Sequence, residues 1–160
     1  VGRRELVQQL RKHPLYRALR ADKLALAALE ATLDAHRRGA SLTEIPALRM
    51  LAMTATEIEA RARVFLQRLQ ERSGAKSLHC EMTEGVSAIG GGAAPTTHPP
   101  TALLSLTHAR LSADALEAAL RRSHPPVIAR ISEGKVLLDL RTVANDEEAE
   151  LLEALAAIPA

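Results

Sequence analysis

Aromatic side chains are almost missing from this chain of 160 residues, which holds one phenylalanine, one tyrosine and no tryptophan. Any core must therefore be built from Leu, Ala, Ile and Val. Hydrophobic residues still make up 47% of the sequence, enough to build one. Cysteine is nearly as scarce. Cys80 stands alone, which excludes an internal disulfide and a cysteine-based zinc site and points to a reducing compartment, the cytoplasm. No stretch approaches the roughly 20 apolar residues of a membrane span, and the opening VGRRELVQQL lacks the apolar centre of a secretion signal. Nor does one sign of charge dominate. The 21 Lys and Arg against 19 Asp and Glu leave a net charge of +2, so any RNA contact must come from local patches. The chain opens on Val1 and enters helical periodicity at once, which suggests a piece of something longer.

What is present begins as helix after helix. Residues 3–12 form a short amphipathic segment, and Pro14 breaks or restarts the chain because it has no backbone donor. From Asp22 to about Arg38, DKLALAALEATLDAHRR places Leu26, Leu29 and Leu33 on a stripe that alanines widen almost around the helix. This helix is expected to be buried on more than one side, with Gly39 as its stop. After a turn through residues 41–46 and the short apolar segment ALRMLAM, Thr54 and Glu57 stand at capping-box spacing. The long helix they open carries Ile58, Ala62, Phe65, Leu66 and Leu69 on one face. Glu57 with Arg61 and Glu59 with Arg63 are expected as exposed i,i+4 pairs.

The period then changes. In KSLHCEMTE, Leu78, Cys80 and Met82 alternate with polar residues, as in a half-buried strand. The Gly- and Pro-rich GVSAIGGGAAPTTHPP leads to a second strand, ALLSL. Leu111 and Leu116 flank Ser112 as a hydrophobic staple around an N-cap and open a helix to about Arg122. VIARIS and KVLLDL follow, joined by a tight turn at Glu133 and Gly134. A last helix, capped by Asn145 with Glu148, is apolar at Leu151, Leu152, Leu155 and Ile158. The expected fold is α+β, a mainly antiparallel sheet with helices on one face, in residues 75–160, preceded by a helical arm in residues 1–74.

Few residues in this pattern suggest chemistry. Arg17 and Arg20 in HPLYRALRADK are three apart, so one helical turn could aim both guanidinium groups at a phosphate or carboxylate. From spacing alone that signal is weak, and a solvated basic face paired with Asp22 or Glu5 is the simpler reading. Gly90, Gly91 and Gly92 permit close backbone approach to a ligand, but without the Lys-Ser/Thr of a phosphate-binding loop or the Rossmann spacing, a plain connector fits too. Arg130 lies among apolar neighbours on the face that carries Asp139, diagonally across the hairpin. It could form a structural ion pair or bind a substrate anion. His13, His36, His79, His98, His108 and His124 show no metal-ligand spacing and read as surface or loop residues. Cys80 faces the core, and neither Lys12 nor Lys23 has the context of a Schiff-base lysine. On its own chemistry the chain is not a complete enzyme.

The stretches HPLYRALRADKLALAALEATL, IPALRML, IGGGAAP and above all PPVIARISEGKVLLDLRTV resemble the C-terminal part of the bacterial selenocysteine synthase family, the L-seryl-tRNA(Sec) selenium transferases. The similarity runs in order through nearly the whole chain. It implies a fold-type I pyridoxal-phosphate enzyme whose large domain carries the Schiff-base lysine and whose small C-terminal domain completes the substrate site. On that basis the cofactor lysine precedes Val1, and the arm links to the missing large domain. This piece alone is then expected to hold no catalytic residue, no metal and no bound cofactor, and to be inactive. The resemblance further implies seryl-tRNA(Sec) and selenophosphate as substrates and a homo-oligomeric ring of dimers.

Arg17 and Arg20 match the family's arginine pair for the phosphate-like selenium donor. Arg130 matches a strand position where related enzymes hold a substrate carboxylate, a group an aminoacyl ester lacks. Gly90, Gly91 and Gly92 fall in a loop that reads GGGAAP against the usual GGGSLP-like pattern, with Ala93 in place of a hydroxyl. Two other readings remain compatible with the residues. One is the small domain of a related pyridoxal-phosphate enzyme acting on free amino acids. The other is a non-catalytic oligomerisation module in which the helix from Asp22 to Arg38 packs on another subunit.

Overall fold

The computed structural model describes residues 2–72, 77–90 and 96–158. It divides into two compact units, Val1–Arg49 and Met50–Ala160. The expected division at 74/75 falls within the second of these units. The long helix at residues 55–70 turns Ile58, Ala62, Phe65 and Leu69 into the core beneath the sheet.

The first unit contains α1 (Arg4–Lys12), α2 (Leu15–Ala18), α3 (Lys23–Arg37) and α4 (Ser41–Glu44). Pro14 precedes α2, and the His13 Nδ1 accepts from the Leu15 amide at 3.2 Å. Asp22 caps α3 by accepting from the Ala25 amide at 2.7 Å. At the other end Gly39 adopts φ 71°, and the Ala40 amide reaches back to the Ala35 carbonyl at 2.9 Å. This is the left-handed closure that glycine permits without steric cost. Arg38 then joins α3 to α4 by bonding Asp34 at 2.7 Å and Glu44 at 2.6 Å. The expected burial of α3 is not found. Among its residues only Ala35 is buried, and Leu24 is 81% exposed, with Leu26, Leu29 and Leu33 also exposed. An apolar stripe is buried only if another element covers it, and none in this unit does.

In the second unit α6 (Ala55–Gln70) begins at the expected capping box. The Thr54 Oγ1 accepts from the Glu57 amide at 3.2 Å, while the Glu57 carboxylate accepts from the Thr54 amide at 2.7 Å. Those bonds hold the Glu57 carboxyl below its ordinary range. They also remove Glu57 from the expected pair with Arg61. Arg61 instead donates to Glu148 at 2.8 Å and to the Leu140 and Val143 carbonyls at 3.1 and 2.8 Å. Glu59 and Arg63 do pair, at 2.5 Å. Ahead of α6, α5 (Pro46–Ala52) contains the division between the units.

The sheet comprises β1 (Leu78–Val86), β2 (Pro100–His108), β3 (Arg130–Ser132) and β4 (Lys135–Asp139), in the order β1-β2-β4-β3 and antiparallel throughout. β3 and β4 are joined by Glu133 and Gly134 at φ 50° and 72°, the primed turn whose twist suits a hairpin. Leu78, Leu104, Leu106, Val136 and Leu138 point to one face, where they meet α6, α7 (Ala113–Arg121) and α8 (Glu148–Ala156). The opposite face presents Glu81, Thr83, Arg130 and Ser132, all exposed, around Leu103 and Ser105 of the central β2, which is buried on both faces while its neighbours alternate. The α+β fold with helices on one face thus follows from strand alternation. Ser112 caps α7 as expected, accepting from the Ala115 amide at 3.2 Å. Asn145 does not cap α8. Its N-cap is Glu147, and Glu148 is held by Arg61.

Candidate functional site

The first unit carries a cavity of about 790 Å³ whose walls are Leu10 of α1, Leu15 and Leu19 around α2, and Leu26 of α3. Tyr16 adds a half-exposed aromatic face, and His13, Arg20 and Lys23 supply all its charged or ionisable nitrogen groups. Among the described residues no carboxylate lines it. Of the two arginines singled out by spacing, Arg20 lines this cavity, while Arg17 does not. α2 ends at Ala18 with Leu19 as its C-cap, so Arg17 is helical and Arg20 lies beyond the helix. Neither pairs with Asp22 or Glu5 among the described residues, since Asp22 is used to cap α3. Both guanidinium groups are exposed.

The second unit concentrates its polar chemistry where β1, β2 and β4 meet. Arg130 does not bond Asp139, although the register places the two diagonally as expected. Its Nη2 donates to the Val86 carbonyl at 2.9 Å and the side chain is exposed. Asp139 instead accepts from the Ser87 hydroxyl at 2.6 Å, the Thr101 hydroxyl at 3.0 Å and the Arg141 amide at 3.0 Å. The buried guanidinium here belongs to Arg141, a residue that sequence reasoning missed. Its Nε donates to Ser87 Oγ at 2.8 Å, so one serine hydroxyl relays a buried cation to a carboxylate. The only signal in the sequence was a lone arginine between Leu140 and Val143 directly after a strand.

These bonds close the base of the segment between β1 and β2. The Ser87 amide donates to the Pro99 carbonyl at 2.9 Å, and Arg141 Nη2 donates to the Pro100 carbonyl at 2.8 Å. Within that segment Gly90 is exposed, with open space around it. Gly91 and Gly92, like Ala93, lie outside the described residues.

Other nucleophiles and bases are set apart from both clusters. Burial, followed by the neighbouring Glu81 charge, pushes the Cys80 thiol up to about 12. At about pH 8 it is expected to resist alkylation in the folded chain and to react once the chain is unfolded, because the thiolate is the nucleophile. Rapid labelling of the native chain, followed by mass spectrometry, would contradict this. Between the ordinary thiol value of 9.0 and about 12 the folded state keeps a proton that the unfolded chain releases, so stability falls as pH rises through that window.

Of the six histidines, His108 departs from the surface reading. It is half-buried at the end of β2, and its Nδ1 accepts from the Arg110 and Leu111 amides at 3.2 and 3.1 Å. Among the described residues no group of three His, Cys, Asp or Glu side chains could hold a metal. No helix among them is long and apolar enough to cross a membrane.

A lysine that forms an imine must be neutral, which calls for burial or a neighbouring cation. Lys12 and Lys23 are exposed, and Lys135 bonds Glu81 at 2.7 Å, which holds the Glu81 carboxyl below its ordinary range. None of these described lysines fits the carbonyl of pyridoxal phosphate.

A family model described as L-seryl-tRNA selenium transferase matches residues 1–144. The chain belongs to that family. It is 45% identical over 97% of its length to the L-seryl-tRNA(Sec) selenium transferase of Geobacter sulfurreducens, of which it covers 34%. To the protein of the same name from Geobacter metallireducens it is 43% identical over 99% of its length, again covering 34%. The corresponding protein from Desulfovibrio desulfuricans is 40% identical over 96% of the chain and 33% covered. The chain thus spans about a third of the length of these selenium transferases, and its likeness to the family extends over nearly all of it.

Proposed function

We propose that this chain is the C-terminal portion of a cytoplasmic selenium transferase that converts seryl-tRNA(Sec) to selenocysteyl-tRNA(Sec) with selenophosphate. In this reading its second unit is the small domain of a pyridoxal-phosphate enzyme. The observation that carries the reading is the ordered match along almost the full chain to proteins named for that activity. The cofactor and its lysine belong to the part of the enzyme that precedes this chain, which by itself is inactive.

The role proposed for Arg17 and Arg20 is to bind and orient the selenophosphate dianion. Their support is physical. Both are exposed, neither is neutralised by Asp22 or Glu5, and Arg20 faces a cavity without carboxylates. Fixed guanidinium donors hold a multiply charged oxyanion in one orientation before reaction, which lowers the entropic part of the barrier. Arg130 is a weaker candidate for any anion, since one of its nitrogens already serves the Val86 carbonyl. The exposed leucines of α3 favour its burial in a larger assembly, in keeping with a homo-oligomer.

The full-length enzyme tests this reading. Arg17→Ala and Arg20→Ala are each expected to raise KM for selenophosphate about tenfold, the loss of one charge-assisted contact, with KM for seryl-tRNA little changed. Turnover of free amino acids without conversion of seryl-tRNA would overturn the reading. An unchanged selenophosphate KM in both variants would remove the two arginines from it.

A further inference from the structure

The chain has two aromatic side chains, and the structure uses them in opposite ways. Phe65 is wholly buried, whereas Tyr16 is half exposed on the wall of the cavity in the first unit. We propose that this cavity is a nucleotide site, in which Tyr16 stacks on a base while Lys23 and His13 contact the adjoining phosphate. Its occupant is the single-stranded 3′ end of the aminoacylated tRNA. The identity of that occupant, though not the nucleotide chemistry, rests on the seryl-tRNA reading above.

Three observations converge. The first is charge. His13, Arg20 and Lys23 line the cavity with no carboxylate among the described residues, so it suits an anion. The second is shape and polarity. A volume of about 790 Å³ walled by leucines would desolvate a flat organic group, whereas a small inorganic anion needs neither the space nor the apolar walls. The third is the available hydrogen-bonding geometry. The His13 Nδ1 is occupied by the Leu15 amide at 3.2 Å, which leaves its Nε2 as the ring donor for a ligand, and Lys23 forms no ion pair among the described residues. A planar face bordered by cations in an apolar recess is the arrangement that binds unpaired bases with their phosphates. Arg20 lies at the same cavity, so a nucleotide there would sit beside the anion that Arg20 is proposed to hold.

Because Tyr16 is the only tyrosine and there is no tryptophan, the chain's tyrosine emission reports this site alone. Adenosine 5′-monophosphate and a short oligoribonucleotide ending in adenosine are expected to quench it saturably, beyond their effect on free tyrosine amide. Inorganic phosphate should leave it unchanged. Quenching by phosphate as strong as by the nucleotide, or none by either nucleotide probe, would overturn the proposal.

Tyr16→Leu keeps an apolar wall and is expected to weaken oligoribonucleotide binding about tenfold by calorimetry, the worth of one stacked base, while Tyr16→Phe stays near wild type. Equal affinity in the Leu variant and the wild type would sink the stacking role. In the full-length enzyme Tyr16→Leu should raise KM for seryl-tRNA and leave KM for selenophosphate unchanged. If the enzyme converts seryl-tRNA while the nucleotide probes fail to bind, the cavity assignment falls and the selenium transferase reading stands.

Discussion

Replacing Arg141 with methionine is expected to lower the free energy of unfolding by about 3–5 kcal/mol, read as a fall in the urea midpoint at constant slope. The side chain is only 3% exposed. Besides its bond to Ser87, Nη1 donates to the Met50 and Met53 carbonyls at 2.9 and 2.6 Å and Nη2 to Pro100 at 2.8 Å. Methionine fills similar volume, but it leaves three part-buried carbonyls without this donor and the Asp139 carboxylate without a nearby cation. Each orphaned group costs about 1–3 kcal/mol, and more when charged. Arg141→Lys should recover little, since a single ammonium cannot reach a planar fan of four acceptors. Arg63→Met is the contrast. Its exposed pair with Glu59 predicts a loss within about 1 kcal/mol. An Arg141→Met chain as stable as wild type would show that the network contributes nothing net.

Phe65→Ala is expected to cost about 3–5 kcal/mol, and Phe65→Leu clearly less. Phe65 is fully buried on α6 among Leu, Ile, Val and Ala side chains, and it is the sole aromatic ring in that core. Removing a ring from a close-packed aliphatic core leaves a cavity that its neighbours can only partly fill, because their own rotamers are already fixed. The loss can be read in thermal or chemical denaturation. A cost below about 1 kcal/mol would mean that the core collapses around the vacancy, as a loosely packed one does.

The elements whose signals are local were legible. The Thr54–Glu57 capping box, the Asp22 start and Gly39 stop of α3, the Ser112 cap and the Glu133–Gly134 turn are each decided within a few residues, and each forms as expected. Where reading failed, a side chain had two possible partners and the better one was far away in sequence. Arg61 left Glu57 for Glu148, 87 residues on, because that partner comes with two carbonyls at a part-buried site. Arg130 and Asp139 share a face, yet Asp139 accepts from two hydroxyls and an amide while Arg130 donates to the Val86 carbonyl. The candidate site was legible in part. Spacing drew attention to Arg17 and Arg20, but it assumed a helical turn that ends at Ala18, and it passed over Tyr16, whose significance lies in the cavity around it.

The sequence by itself determined the aliphatic core, the α+β order, the strand alternation that puts helices on one face, and the family, because periodicity and ordered motifs are properties of the chain read along its length. Only the tertiary structure decided that the long helix at residues 55–70 belongs with the sheet and that α3 keeps its leucines uncovered within its own unit. It also decided that Arg141 rather than Arg130 is the buried cation, and that the lone tyrosine faces a cationic cavity. The reason is common to all four. Burial and partner choice depend on which groups remain unsatisfied after distant segments meet, and composition and spacing hold no record of that.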